Sequence, residues 1–463
     1  MSFTAILFLL GYASGLVMAL FKKPIYGLGT YVLVMFLHPP SRWWGASLPD
    51  MRWSLLAAIV TFVACQARTP KNAAADSVWK MGVFGGYVVL FLWMLIQSPW
   101  AIWPDVHLEL LELFGKYLIL IYLIYRIVET EDDMRVFLWC YFCGCWYLGW
   151  VAYTTYSGGR FEGFGGPDIG EANAGALTLV TGVFAGGALF LSGTTKQKII
   201  ILCLMPFVVN GMILASSRSA LLAMLFGGLM FMYFTPQVYR KRVYGLGALA
   251  IVMFLMLTNS VFWGRMSTLK FVGEEQVTIV TDGGRKYDNG SGRLKIIEAQ
   301  WRMFFSNPFG SGHRSTAALS PYYLSDENLT GQAGKRYRSS HNTFMSMLVE
   351  HGVVGAAVYI YCAIWIFNRV RWLLPLYRRR ADLSGVMVPT LMAALGGIII
   401  ADVFVDYLKL EPRLWFVALL MVLMRWARID IRQQEAVNKE EAETGRACLG
   451  PAQSYASGKL GAS

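Results

Sequence analysis

The chain has 463 residues, of which 56% are hydrophobic and 15% charged, and its mean hydropathy is +0.46. Soluble domains carry about a quarter charged residues, so the composition excludes an ordinary soluble protein and calls for many membrane spans rather than one anchor. The net charge of +12 does not point to nucleic acid, because much of it lies in short basic loops of the kind that orient membrane proteins.

Apolar runs that span the membrane, or nearly so, occur at 4–20, 25–37, 52–66, 81–97, 112–128, 134–154, 173–191, 198–215, 218–234, 243–262, 342–367, 386–408 and 412–426. Several fall short of the roughly 20 residues a span needs and must borrow from their flanks. The first two can instead form one hairpin. The reading is an all-α polytopic membrane protein with about 12–13 transmembrane helices. The first run ends in Phe21-Lys22-Lys23-Pro24 rather than a small-residue cleavage site, so no cleavable leader is expected. Cys140, Cys143 and Cys145 sit among Trp139, Tyr141, Phe142 and Trp146 with no second ligand pair, and are read as packed helix residues.

Loop charge assigns the sides. Lys196 and Lys198, Arg240-Lys241-Arg242, Arg369 and Arg371, Arg378-Arg379-Arg380, then Arg425, Arg428 and Arg432 fall on one side if the runs alternate. The positive-inside rule makes that side cytoplasmic. The chain then divides into N-terminal transmembrane helices (1–262), a long periplasmic loop with short helices (263–341), C-terminal transmembrane helices (342–427) and a cytoplasmic, disordered tail (428–463). The long loop carries eleven Lys and Arg against seven Asp and Glu. It is too polar for lipid, and its length argues for function. Its charge suits an anionic ligand; a merely solvated basic surface is the plainer alternative.

The topology gathers polar residues at the outer boundary. Arg218, in Ser216-Ser217-Arg218-Ser219, lies between two spans, where a charge must be paired or wet. It binds an anion or snorkels to headgroups. His341 follows Ser339 and Ser340, with serine as the expected helix cap, and a neutral imidazole there accepts a proton at pH 7. Gly290-Ser291-Gly292-Arg293 and Gly310-Ser311-Gly312-His313-Arg314 put glycine turns beside basic residues, and Arg grips phosphate with two donors. Arg160 lies in another outer loop. Asp402 and Asp406, four apart, are read as one helix face that orients an Arg or the His, or simply pairs charge within the bundle. No Asp-x-Asp or His-x-x-x-His occurs, so neither a metal nor another cofactor is expected.

These motifs in order are familiar. Ser217-Arg218-Ser219-Ala220 starts a span, and Ser291-Gly292-Arg293 precedes Asn307-Pro308-Phe309-Gly310-Ser311-Gly312 in a long loop. His341-Asn342-Thr343-Phe344 then leads into Glu350-His351-Gly352-Val353-Val354-Gly355. The pattern resembles the bacterial O-antigen ligase and polymerase superfamily over about 155–365, including Arg160 through Gly163, Pro167 and Asn173. The resemblance implies a GT-C-like helical glycosyltransferase of the inner membrane with a periplasmic active site. It implies a glycan donor on undecaprenyl pyrophosphate and a lipid A-core acceptor, joined without metal. It maps a catalytic histidine onto His341 and pyrophosphate-binding arginines onto Arg218 and, less directly, Arg293. Arg160, Arg314 and His313 are secondary candidates.

Glycosyl transfer to a hydroxyl needs a base and charge stabilisation on the leaving group, and direct attack predicts inversion. The same chemistry serves a polymerase or a protein O-glycosylation ligase, and the sequence does not separate these. A lipid-linked sugar transporter is the rival of another class. It would show internal repeats and a midplane site, and neither is evident.

Overall fold

The computed structural model describes residues 1–68, 77–266, 291–325, 329 and 337–444, apart from the side chains of 265, 291–293 and 440–444. The described residues are helical, with no strand. In chain order the helices are α1 (Phe3–Phe21), α2 (Ile25–Leu37), α3 (Trp53–Gln66), α4 (Gly82–Gln97), α5 (Pro104–Ile127), α6 (Glu131–Thr155), α7 (Ala172–Ser192), α8 (Thr195–Leu214) and α9 (Arg218–Phe234). They continue as α10 (Arg240–Leu257), α11 (Ser260–Met266), α12 (Ser291–Ser306), α13 (Ser315–Tyr323), α14 (Thr343–Glu350), α15 (Gly352–Tyr377), α16 (Leu383–Ala401) and α17 (Glu411–Thr444). This is an all-α polytopic membrane protein.

Every apolar run is helical over most of its length, though 243–262 and 342–367 are each divided between two helices and 386–408 outruns α16. Among the described residues seven helices are long and apolar enough to cross alone: α1, α4 with its following turn, α6, α7, α8, α15 and α16. An eighth arises if α9 and α10 count as one span bent by 111°. The expected 12–13 also count helices outside that set. α2, with 13 residues, and α3, with 14, rise only about 20 Å. α5 carries Asp105, Glu109, Glu112, Lys116 and Arg126. The run at 342–367 breaks into α14 and α15 at Gly352, whose φ is +66°.

Small residues let the helix backbones approach, as membrane packing requires. A Cβ on Gly149 of α6 would fall 2.2 Å from the Phe207 carbonyl oxygen of α8. The middle of α17 is enclosed: Leu414 through Met424 are all buried. A helix that is apolar all round belongs inside a bundle rather than against solvent. α17 stays helical to Thr444, so the disordered tail expected from 428 does not begin there. Arg428 to Glu441 is rich in Arg, Gln, Glu, Ala and Lys, which favour helix.

Two polar faces bound the bundle. On the basic face Lys23 pairs with Asp133 at 3.2 Å, Tyr239 Oη donates to the Ala381 carbonyl at 2.7 Å and Arg380 pairs with Asp430 at 3.0 Å. The opposite face collects the loop 156–171, the α8–α9 turn, the Gly310–Arg314 loop, the start of α14 and the α16–α17 loop, and the candidate site lies there.

Candidate active site

The site is a cleft of about 540 Å³ walled by four segments. Residues 166–174 contribute Asp168 and Glu171, the loop before α13 contributes His313 and Arg314, and Ser339-Ser340-His341 forms the third wall. The α16–α17 loop contributes Asp406, Tyr407 and Lys409, and Glu350 closes the base.

His341 has left-handed backbone (φ 54°) and is half-buried. It precedes the helix rather than opening it. The cap of α14 is Asn342, whose Oδ1 accepts from the Met345 N–H at 2.9 Å, while the Ser340 hydroxyl donates to the Asn342 carbonyl at 2.8 Å. The expected serine cap is thus replaced by asparagine, a stronger cap than most. His341 is left in the turn that faces the cleft. Thr343 anchors the helix start, donating its hydroxyl to Asp402 at 2.7 Å and its N–H to the Asp402 carbonyl at 2.8 Å.

The Gly310–Arg314 loop is held by interlocking with the α14–α15 hinge. Gly310, Gly312 and Arg314 all have positive φ (78°, 86° and 60°). A Cβ on Gly310 would lie 2.5 Å from the Glu350 carbonyl oxygen, and one on Gly352 would lie 2.3 Å from the Phe309 carbonyl carbon. Only glycine permits both the backbone and the approach. The Gly312 N–H donates to the Glu350 carbonyl at 3.0 Å, and the Val353 N–H to Pro308 at 2.9 Å. From α4 and its flank, Gln97 donates to the Phe309 carbonyl at 2.8 Å and Trp100 to the Gly310 carbonyl at 3.1 Å. This scaffold presents Arg314 to the cleft. His313 is buried, with Nδ1 2.9 Å from Glu350 Oε2.

Arg218 and Arg160 do not line the cleft. Arg218 starts α9 after the Ser217 cap, half-buried. Its neighbour Ser219 shares a hydrogen bond with the cleft residue Tyr407 at 2.9 Å. Arg160 donates to Asn173 Oδ1 at 2.7 Å and pairs with Glu162 at 3.3 Å, and the Ser217 hydroxyl donates to the same Asn173 oxygen at 2.9 Å. Arg160 and Arg218 therefore sit on segments tied to one another beside the cleft. Arg293 falls in the first turn of α12, and its side chain lies outside the described residues.

Asp402 and Asp406 do not share a helix face. Asp402 caps the end of α16 and is satisfied by Thr343, by Tyr359 at 2.7 Å and by a close ion pair with Arg413. Asp406 lies in the following loop and accepts from the Ser346 hydroxyl at 2.6 Å and the Leu408 N–H at 3.1 Å. Burial, with the Glu350 charge adding to it, pushes the Asp406 carboxyl up to about 6. Burial works against the Glu350 charge as well, but the neighbouring His313 ring outweighs it and holds that carboxyl below its ordinary range. Burial lowers His351 to about 3, so its ring is neutral.

Sequence reasoning read this face as basic, and the cleft is mixed. Asp168, Glu171, Glu350 and Asp406 stand with Arg314 and Lys409. Lys409, Asp168 and Glu171 belonged to no motif and enter only because the fold brings their loops together. Glu350 was visible within Glu350-His351-Gly352 but had been assigned no role. Carboxylates accept from sugar hydroxyls and cations attract phosphate, so the walls suit a glycan that ends in a phosphate.

Residues 199–360 match the family model described as O-Antigen ligase. The match runs from α8 into α15 and includes Arg218, Arg293, His313, Arg314, His341 and Glu350. No curated protein matches the chain. Over these residues the chain is similar to that family, as its motifs implied, and the chain as a whole is a polytopic helical membrane protein.

Proposed function

We propose that this protein, which carries an O-antigen ligase/polymerase-type domain, is an inverting ligase. It moves a glycan from undecaprenyl pyrophosphate to a sugar hydroxyl of lipid A-core, at the periplasmic face of the bacterial inner membrane. The basic face of the bundle, with the C-terminal end of α17, is cytoplasmic. The outer loops and membrane helices keep the division read from the sequence at 263 and 342, and the fold is of the GT-C type.

His341 is the base. It takes the proton of the acceptor hydroxyl as that oxygen bonds to the anomeric carbon, and the bond from that carbon to the pyrophosphate oxygen breaks with inversion. A base within reach of the nucleophile contributes roughly 10²–10⁴-fold. The leaving pyrophosphate gains charge as the bond breaks. Arg314 in the cleft, Arg218 and Arg160 beside it, and Arg293 from α12 neutralise that charge without a metal at the reacting centre. His313, buried against Glu350, assists by holding Arg314 in place. The observation that carries the reading is the meeting of His341 and Arg314 in one cleft from opposite ends of 314–341.

The test is glycan transfer by purified wild type and His341→Ala, using an undecaprenyl pyrophosphate glycan with lipid A-core. Transfer by wild type, lost in a folded variant, supports the reading. Transfer only to another glycan chain or to a protein hydroxyl would replace the acceptor. A fully active His341→Ala would remove the base.

A further inference from the structure

Beneath the cleft, His313, Glu350 and His351 each offer one donor atom within 4.8 Å of the other two, and all three residues are buried. Gln97 fixes which lone pair His351 presents. Gln97 Nε2 donates to the Phe309 and Glu350 carbonyls at 2.8 and 3.2 Å, so Gln97 Oε1 is the atom turned toward His351. His351 Nδ1 is 2.9 Å from that oxygen and must carry the ring proton. His351 Nε2 is then a bare lone pair on a fully buried ring, with no hydrogen-bond partner. Such an orphan requires an explanation.

His107 does not supply one. Its Nε2–H donates to the Met94 carbonyl at 2.8 Å, and its Nδ1 accepts from the His313 N–H at 3.0 Å, so both nitrogens are occupied. Glu350 Oε2 and His313 Nδ1, 2.9 Å apart, have nearly the spacing of adjacent ligands on one small ion, about 3.3 Å for tetrahedral bonds of about 2.0 Å. A ligand histidine whose other ring N–H is held by an oxygen acceptor is the usual outer-shell arrangement at metal centres, and Gln97 provides that acceptor.

We propose that His313, Glu350 and His351 bind one divalent transition-metal ion, with zinc favoured by two imidazole nitrogens and one carboxylate oxygen. The ion clamps the Gly310–Arg314 loop to the α14–α15 hinge. It departs from the sequence expectation of no metal, which rested on short-range spacing. These ligands come from two distant segments that only the fold joins. The alternative is a plain His313–Glu350 ion pair with a water on His351 Nε2, and it predicts a metal-free protein.

The experiment uses the full chain in detergent with any histidine tag removed. Elemental analysis after dialysis against zinc and then metal-free buffer is expected to find about one zinc per chain. Cobalt is expected to saturate at the same stoichiometry with visible ligand-field absorption. His351→Asn keeps a donor for Gln97 and deletes the Nε2 lone pair, and Glu350→Gln deletes the charge. Each is expected to lose at least about nine-tenths of the bound ion. Wild type that takes up neither zinc nor cobalt overturns the proposal, as do folded variants that bind as much as wild type. The cobalt titration of wild type keeps the test decisive if a variant fails to fold. Metal content is read independently of glycan transfer, so the ion site and the proposed ligase activity fail separately.

Discussion

The backbones of Gly310 and Glu350 pack directly against one another. The α-carbon of Gly310 passes so close to the Glu350 carbonyl oxygen that an added methyl would sit 2.5 Å from it, and the Gly312 N–H donates to that same oxygen at 3.0 Å. The loop that carries Arg314 and the hinge that carries Glu350 therefore form one rigid unit.

Gly310→Ala and Gly352→Ala should each be destabilising, because each adds a clash to a backbone with positive φ. Strain of that kind costs about 1–3 kcal/mol, and overpacking adds a similar amount. Thermal unfolding followed by intrinsic fluorescence in detergent checks this. Gly228→Ala, inside α9 with nothing within 4 Å, is the control and should leave Tm unchanged or raise it slightly.

Asp402 and Arg413 form a buried ion pair that also receives the Thr343 and Tyr359 hydroxyls. Removing one partner leaves the other charge buried, at a cost of about 3–5 kcal/mol. Arg413→Met should lower Tm sharply, and the double variant Asp402→Leu/Arg413→Met should recover much of the loss. Equal damage from single and double variants would count against the pairing.

Asp406 gives stability a pH dependence of defined sign. Its carboxyl is raised from an ordinary value near 3.8 to about 6, so the folded chain holds this proton more tightly than the unfolded one. The contribution is fully present below about pH 4 and is lost as pH rises through about 6, on the order of 2–3 kcal/mol. Asp406→Asn should remove that slope and unfold at a higher temperature than wild type at pH 7. Tm measured from pH 4 to 8 for both proteins decides it.

Arg314 and His341 should fail in different ways under the proposed chemistry. Arg314→Ala is expected to raise KM for the lipid pyrophosphate donor roughly ten-fold, and Arg314→Lys to recover only part, because an ammonium lacks the planar fork. His341→Ala is expected to lower kcat with little change in KM. Steady-state kinetics with varied donor separates the two, and a kcat effect at Arg314 alone would contradict its role in binding.

Much of the fold was legible in the apolar pattern. Each run from 4–20 to 412–426 is helical over most of its length. Which helices are long and apolar enough to cross unaided was not legible, because α2 and α3 are short, α5 is charged and Gly352 breaks a run whose hydropathy is continuous. Within the site, His341, His313 and Arg314 meet as their shared side implied. Asp168 and Lys409 carry no local signal, since a lone charge in a loop reads as solvated until another loop folds over it. Asp402 and Asp406 mislead for the opposite reason: spacing of four suggests one helix face, but α16 ends at Ala401.

The burial of α17 constrains the timing of assembly. The segment from Leu414 to Met424 contacts protein on all sides, yet sixteen of the described helices are synthesised before it. The earlier helices must keep an open socket in the bilayer until this segment arrives, since an apolar helix cannot be threaded into a closed bundle. The enclosing wall of the cleft, which includes Tyr407 and Lys409 just before α17, is then completed last. Maturation of the site is thereby tied to the end of insertion rather than to the emergence of His341.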